Sequence, residues 1–223
     1  MRRAANADVR RRAIVAVAIV AIVLAVAERY ACADERVDVT AMDGTPLIGE
    51  LGGTSGPGIV LVHGARTDRR QWAAVAAALV ERGFRPLRID LRGHGESSGA
   101  IDLAAADRDV EGAYRYLLGR KIRPVFLVGD GVGGSAALVV AARVAVAGVA
   151  VAGRQPAESG PDPRAAVASV GVPMLFLVSE AEPDAKAFGG TAPSARVVVV
   201  PGADVVASPR TLPALLELVG VAR

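Results

Sequence analysis

Residues 125–137 read Val125-Phe126-Leu127-Val128-Gly129-Asp130-Gly131-Val132-Gly133-Gly134-Ser135-Ala136-Ala137, and this stretch decides the fold. Four apolar residues begin it, the mark of a strand buried on both faces. A glycine-rich turn follows, and then a run of small residues suited to a packed helix. Strand, sharp turn and helix in this order form the elbow pattern G-x-S-x-G, which lifts its central side chain above the end of a parallel sheet. Gly129 and Gly133 hold the two flanking positions, and Gly131 holds the centre. Glycine has no side chain, so the frame is present and the nucleophile is not.

Outward from this stretch, short apolar runs alternate with helix-length segments. Residues 59–62, 86–90, 125–128, 149–152, 174–178 and 196–200 read as strands. Residues 68–82, 102–118, 132–144, 164–169 and 209–219 read as helices, the first with Asp68 as its N-cap and Gly83 as its stop. Ahead of them, residues 37–40 and 47–51 flank the turn dipeptide Asp43-Gly44 and read as a hairpin. The expected fold class is therefore α/β, a mostly parallel doubly wound sheet with helices on both faces. Ligands in such sheets sit at the carboxyl ends of the strands, where each motif below falls.

Composition agrees. The 223 residues suffice for one such domain and are tight for two. Hydrophobic residues reach 52% but aromatics only 4%, so the core must be built from Val, Ala, Leu and Ile. The formal net charge is +3, yet residues 1–33 alone hold six arginines against two acids, which leaves the remainder at −1. That balance excludes a nucleic-acid footprint on the domain. Arg10, Arg11 and Arg12 precede the uncharged apolar residues 13–27, and Ala31-Cys32-Ala33 follow. A basic region, an apolar run and a small-x-small site match a signal peptide cleaved after Ala33. An uncleaved N-terminal membrane anchor is the competing reading, and the 15-residue run is short for the usual span of about 20. Both readings export residues 34–223, as a secreted domain or one tethered through residues 13–27. Cys32 is the only cysteine, so no disulfide forms within the chain.

Three segments in register carry a resemblance: Val60-Leu61-Val62-His63-Gly64-Ala65, Asp90-Leu91-Arg92-Gly93-His94-Gly95-Glu96-Ser97 and Gly129-Asp130-Gly131-Val132-Gly133-Gly134. Their order and strand-to-loop setting resemble the α/β-hydrolase superfamily, esterase- and lipase-like and without a lid, from about residue 37 to the C-terminus. The resemblance implies an oxyanion hole at His63-Gly64-Ala65, with the Ala65 and Val132 N–H groups as donors. On the structural alternative this is a tight turn that needs Gly64 for its backbone angles. In residues 90–97 the resemblance implies a loop-holding role, with Arg92 and Asp90 able to pair.

The triad that the resemblance implies is incomplete. Its nucleophile position is Gly131. Its acid position is Glu182, with Asp184 as second choice, and its histidine position is Val205, or Asp204 after a one-residue shift. No histidine follows His94. Substitute residues are Ser135, one helical turn beyond Gly131, with Glu182 and His94 as partners. Asp130 precedes the elbow centre by one, out of place for a carboxylate nucleophile. Two histidines and one cysteine offer no metal-ligand spacing, and no cofactor is expected. Gly129-x-Gly131-x-x-Gly134 also matches the dinucleotide pattern G-x-G-x-x-G, but as third of the parallel strands and in an exported chain it sits poorly there. Residues 153–163 form a short Pro/Gly-rich connection where relatives often carry a cap, so a shallow open pocket over Ala65, Gly131 and Val132 is expected.

Two function classes follow. One is a non-catalytic homologue that binds a small apolar or ester-like ligand or a protein. The other is a hydrolase of ester-like substrates that uses Ser135, Glu182 and His94.

Overall fold

A computed structural model describes residues 34–153, 160–192 and 194–221. The expectations for residues 1–33, Cys32 among them, lie outside these residues, as does most of the connection 153–163. Among the described residues eight strands form one open sheet: β1 (Glu35–Thr40), β2 (Pro46–Leu51), β3 (Gly58–Val62), β4 (Arg85–Ile89), β5 (Val125–Asp130), β6 (Gly148–Ala152), β7 (Met174–Ser179) and β8 (Ala195–Val200). Their spatial order is β1-β2-β4-β3-β5-β6-β7-β8. The hairpin β1–β2 and the β2–β4 pair are antiparallel, and every other pair is parallel. The sheet is thus mostly parallel and doubly wound, as the alternation of strands and helices predicts.

The helices are α1 (Ala73–Val80), α2 (Ala106–Gly119), α3 (Val132–Ala141), α4 (Arg164–Val167), α5 (Pro183–Gly189) and α6 (Thr211–Val221). None in the described residues is long and apolar enough to cross a membrane. One layer of core joins Val60, Val62 and Leu127 to the inner faces of α2 and α3 through Val110, Ala113, Ala136 and Val140. The other joins Ile59, Leu61, Phe126 and Val128 to α1 and α6 through Ala76, Leu79, Leu215 and Leu218. Neighbours along one strand thus serve opposite layers, as a pleated strand requires. Burial at roughly 25 cal/mol per Å² of apolar surface drives both layers together. Trp72 is fully buried and donates its indole N–H to the Val62 carbonyl at 2.9 Å, which ties the α1 side to the end of β3.

Boundaries shift where capping chemistry intervenes. The Asp68 side chain accepts from the Arg70 N–H at 2.8 Å, but it caps a 3-10 turn, Arg69–Trp72, and the α-helix starts only at Ala73. The second expected helix likewise opens with a 3-10 turn, Leu103–Ala105. α5 occupies a segment read only as the acid-bearing turn; Pro183 at its first position was the available signal.

Candidate functional site at the carboxyl end of the sheet

β5 ends in the elbow. Gly131 adopts φ 48° and ψ −116°, a backbone that L side chains rarely take, and α3 begins at the next residue. The flanking glycines are fixed by contact. A Cβ on Gly129 would lie 2.2 Å from the Gly133 carbonyl carbon, and one on Gly133 would lie 2.7 Å from the His63 carbonyl oxygen. A Cβ on Gly131 meets nothing nearer than the Gly64 Cα, at 4.0 Å. The turn is therefore tight at Gly129 and Gly133 and open at Gly131. The glycines that also match a dinucleotide pattern serve this close approach.

Ala65 and Val132 bracket the elbow, Ala65 exposed and Val132 2% exposed. Gly64 does not have the left-handed backbone expected of it. Its requirement is proximity: a Cβ there would lie 2.7 Å from the Asp130 Oδ2.

Both histidines are engaged with the backbone. His63 is fully buried; its Nε2 accepts from the Leu91 N–H at 2.9 Å, and its Nδ1 lies 2.7 Å from the Gly64 carbonyl. Because Nε2 accepts, Nδ1 carries the proton and donates to Gly64, which fixes the neutral tautomer. Burial holds this imidazole below its ordinary value of 6.5. His94 places its two ring nitrogens 3.0 Å from the Arg92 and Ala65 carbonyls, and its ring centre 5.0 Å from that of His63. Together the two rings tie the loop after β4 to the turn after β3, and all four ring nitrogens lie against backbone groups.

Arg92 and Asp90 do not pair with each other. Asp90 is fully buried and binds the Arg69 guanidinium, the Arg69 N–H at 2.8 Å and the Glu96 N–H at 2.9 Å. Arg92 instead binds Asp109 at 2.6 Å and Asp43 at 2.8 Å. These partners are distant in sequence, so local spacing does not reveal them. Burial pushes the Asp109 carboxyl up against the opposing pull of Arg92. The Arg92 hydrogen bond holds the exposed Asp43 well below the usual carboxylate range.

The cavity over the site has a volume of about 490 Å³ and is lined by Thr67, Asp68, Arg70, Gln71, Asp130 and residues 203–206. Ala65, Gly131 and Val132 are not in its wall, and the lining is polar rather than apolar, contrary to expectation. Asp130 is the reason. Its carboxylate lies between Gly64 and Gly153, and a Cβ on Gly153 would come within 2.6 Å of its Oδ1. Gln71 donates from Nε2 to its Oδ2 at 2.8 Å, and the Gln71 Oε1 in turn accepts from the Gly64 N–H at 3.0 Å. Burial pushes the Asp130 carboxyl above its ordinary 3.8, the Gln71 bond opposes this, and the negative charges of Asp204 and Glu182 add to it.

The turns after β7 and β8 complete the site. Ser179 Oγ donates to the Gly202 carbonyl at 2.8 Å and accepts from the Ala181 N–H at 3.1 Å. Glu182, at the head of α5, has a buried Oε2 with no hydrogen-bond partner among the described residues. Asp184 beside it is exposed. Val205, where the sequence resemblance would put a histidine, is 3% exposed and lines the cavity. Thr211 donates its hydroxyl to the Val205 carbonyl. Asp204 caps its own turn by accepting from the Ala207 N–H at 2.9 Å. Ser135 is fully buried within α3. Among the described residues no group of three or more His, Cys, Asp or Glu side chains is placed to hold a metal.

Comparison with known proteins agrees with this geometry. The sequence pattern of the Alpha/beta hydrolase family matches residues 59–220. Over 95 residues the chain is 36% identical to the protein phosphatase methylesterase 1 of Mus musculus, covering 40% of this chain and 25% of that protein. Over 92 residues it is 37% identical to the dihydrolipoyllysine-residue acetyltransferase component of the acetoin cleaving system of Pseudomonas putida, covering 41% of this chain and 25% of that one. The chain thus matches about a quarter of the length of these curated relatives. The thermophilic esterase of Thermogutta terrifontis superimposes with a TM-score of 0.70 at 22% identity, over 84% of this chain and 99% of its own. With a family pattern that spans most of its length and an eight-stranded, mostly parallel sheet, the chain belongs to the α/β-hydrolase family.

Proposed function

We propose that this is an exported, non-catalytic member of the family, which holds a small polar ligand in the cavity beside Asp130. The observation that carries the reading is Gly131: it keeps the elbow backbone while offering no reactive atom. Acyl transfer of the serine type needs a hydroxyl and a neighbouring base to take its proton. Loss of a central member costs up to about 10⁶-fold in rate, and an oxyanion hole with binding alone leaves roughly 10³–10⁴ over water. Neither histidine turns a free ring nitrogen to the elbow, and Val205 fills the base position. The name of the methylesterase relative speaks of ester hydrolysis; this chain has no serine at Gly131 and no histidine at Val205 with which to perform it.

The lining defines what the cavity accepts. Three carboxylates, Asp68, Asp130 and Asp204, face one guanidinium, Arg70. Such a wall favours a neutral or cationic molecule with hydrogen-bond donors over an apolar ester. Export rests on the basic, apolar and small-residue sequence of residues 1–33. The alternative, a hydrolase using Ser135, Glu182 and His94, is disfavoured by the complete burial of Ser135.

The experiment is fluorophosphonate labelling of the full-length protein, read by intact mass and peptide mapping. The expected result is no stoichiometric adduct. A single adduct at one serine, lost when that serine is changed to Ala, would overturn the proposal.

A further inference from the structure

The amino ends of β3, β4 and β5 lie at the opposite end of the sheet from Gly131, and there the surface forms an open hollow of about 310 Å³. Its walls are the turn Thr54-Ser55-Gly56-Pro57, Arg85, and the connection Arg120-Lys121-Ile122-Arg123. Four cationic side chains thus surround one small space in a domain whose overall balance is negative.

Among the described residues Glu35 serves two of them, through an ion pair with Arg120 and a longer-range attraction to Arg85. Arg120 binds Glu35 at 2.9 Å and lies 5.8 Å over the Tyr116 ring. Among the described residues Arg85, Lys121 and Arg123 form no ion pair, and the Nε of Arg85 is buried without any hydrogen-bond partner. Lys121 is held with a φ of 60°, so its place in the wall is fixed by an uncommon backbone rather than by chance extension. Burying a guanidinium N–H without an acceptor is costly, so an acceptor in this cavity would be favoured.

We infer that this cavity is a binding site for a phosphate group. The chemistry follows from the donors. Guanidinium forks present paired N–H groups that match phosphate oxygens, an ammonium adds a point charge, and hydroxyls such as those of Thr54 and Ser55 complete a tetrahedral shell. The volume admits one phosphate ester with its immediate substituent. The site is independent of the cavity at Asp130 and of whether that cavity binds or hydrolyses anything. Two sources offer this group: the headgroup of an anionic phospholipid, or a soluble phosphate compound.

The test is titration calorimetry of the full-length protein with inorganic phosphate and, separately, with short-chain phosphatidylglycerol kept monomeric. Saturable binding is expected, weakening as salt is added. The Lys121→Gln/Arg123→Gln variant should bind at least about tenfold more weakly, the size of one lost charge-assisted hydrogen bond. Arg164→Gln, a change at an exposed arginine on α4, should leave binding unchanged. Tighter binding of the lipid than of inorganic phosphate by about tenfold or more assigns the headgroup, and equal or weaker binding assigns a soluble compound. A thermal melt checks that the double variant is folded, and Arg123→Gln alone, expected to lose about threefold, serves if it is not. No saturable binding of either ligand, or equal affinity in the variants and the parent, overturns the inference.

Discussion

Gly131 faces Gly64 across the carboxyl end of the sheet, and a Cβ on Gly131 would find the Gly64 Cα, at 4.0 Å, as its nearest neighbour. Space for a side chain at the centre of the turn is thus open, although glycine occupies it. The two glycines that flank Gly131 have no such space.

That contrast predicts opposite outcomes for neighbouring substitutions. Gly129→Ala forces a Cβ to 2.2 Å from backbone atoms of α3 and should destabilise by about 3 kcal/mol or more. Gly131→Ala meets no clash and should cost only the left-handed backbone, about 1–2 kcal/mol. Urea denaturation of the two variants measures both, and a Gly129→Ala protein as stable as Gly131→Ala would contradict the elbow geometry.

The missing groups are separable. Gly131→Ser should remain inactive toward activated esters, because no base reaches residue 131. Gly131→Ser combined with Val205→His should gain measurable turnover, since residue 205 follows β8 at the same end of the sheet as the turn at Gly131 and lines the cavity beside Asp130. Initial rates of the single and double variants decide this, and activity in Gly131→Ser alone would reveal an unrecognised base.

Asp130 predicts a gain of stability on losing its charge. Its folded carboxyl titrates above the ordinary 3.8, chiefly through burial, so the unfolded chain gives up this proton at lower pH than the folded one. The group's favourable contribution is therefore present below 3.8 and is lost as pH rises through the folded value. Asp130→Asn keeps an acceptor for Gln71 and removes the repulsion from Asp204 and Glu182. At neutral pH it should stabilise by on the order of 1 kcal/mol, or about 2–4 °C in melting temperature. A lower melting temperature would contradict the assignment.

His63 has the opposite sign. Its folded value lies below 6.5, so the unfolded chain binds the proton first as pH falls. The stability it contributes is complete above 6.5 and declines as pH drops below that. His63→Gln loses two buried hydrogen bonds and should cost about 2 kcal/mol at pH 8, with the gap to the parent narrowing toward pH 5. Denaturation curves across that range measure the gap, and a constant gap would mean that the ring does not resist protonation.

Much of this molecule was legible in its sequence. The run from Val125 to Ala137 declared strand, turn and helix because buried parallel strands and close-packed glycines leave residue-level marks. The strand ends that Gly131, Glu182 and Val205 follow were readable for the same reason. Other features depended on partners far apart in the chain. Asp90 meets Arg69 and Arg92 meets Asp109 and Asp43, so a pairing guessed from adjacency did not form. The polar cavity was hidden because Gln71 and Asp130 come together across 59 residues. α5 is only seven residues long, too short to show helical periodicity, and Pro183 at its start is its one local signal.

The most direct measurement of the central claim is hydrolysis of short p-nitrophenyl esters by the full-length protein, beside Gly131→Ala and Ser135→Ala variants. A rate no greater than that of an inert protein, and equal in all three, is the predicted result. Turnover that Ser135→Ala abolishes would contradict the account and make the chain a hydrolase with a displaced nucleophile.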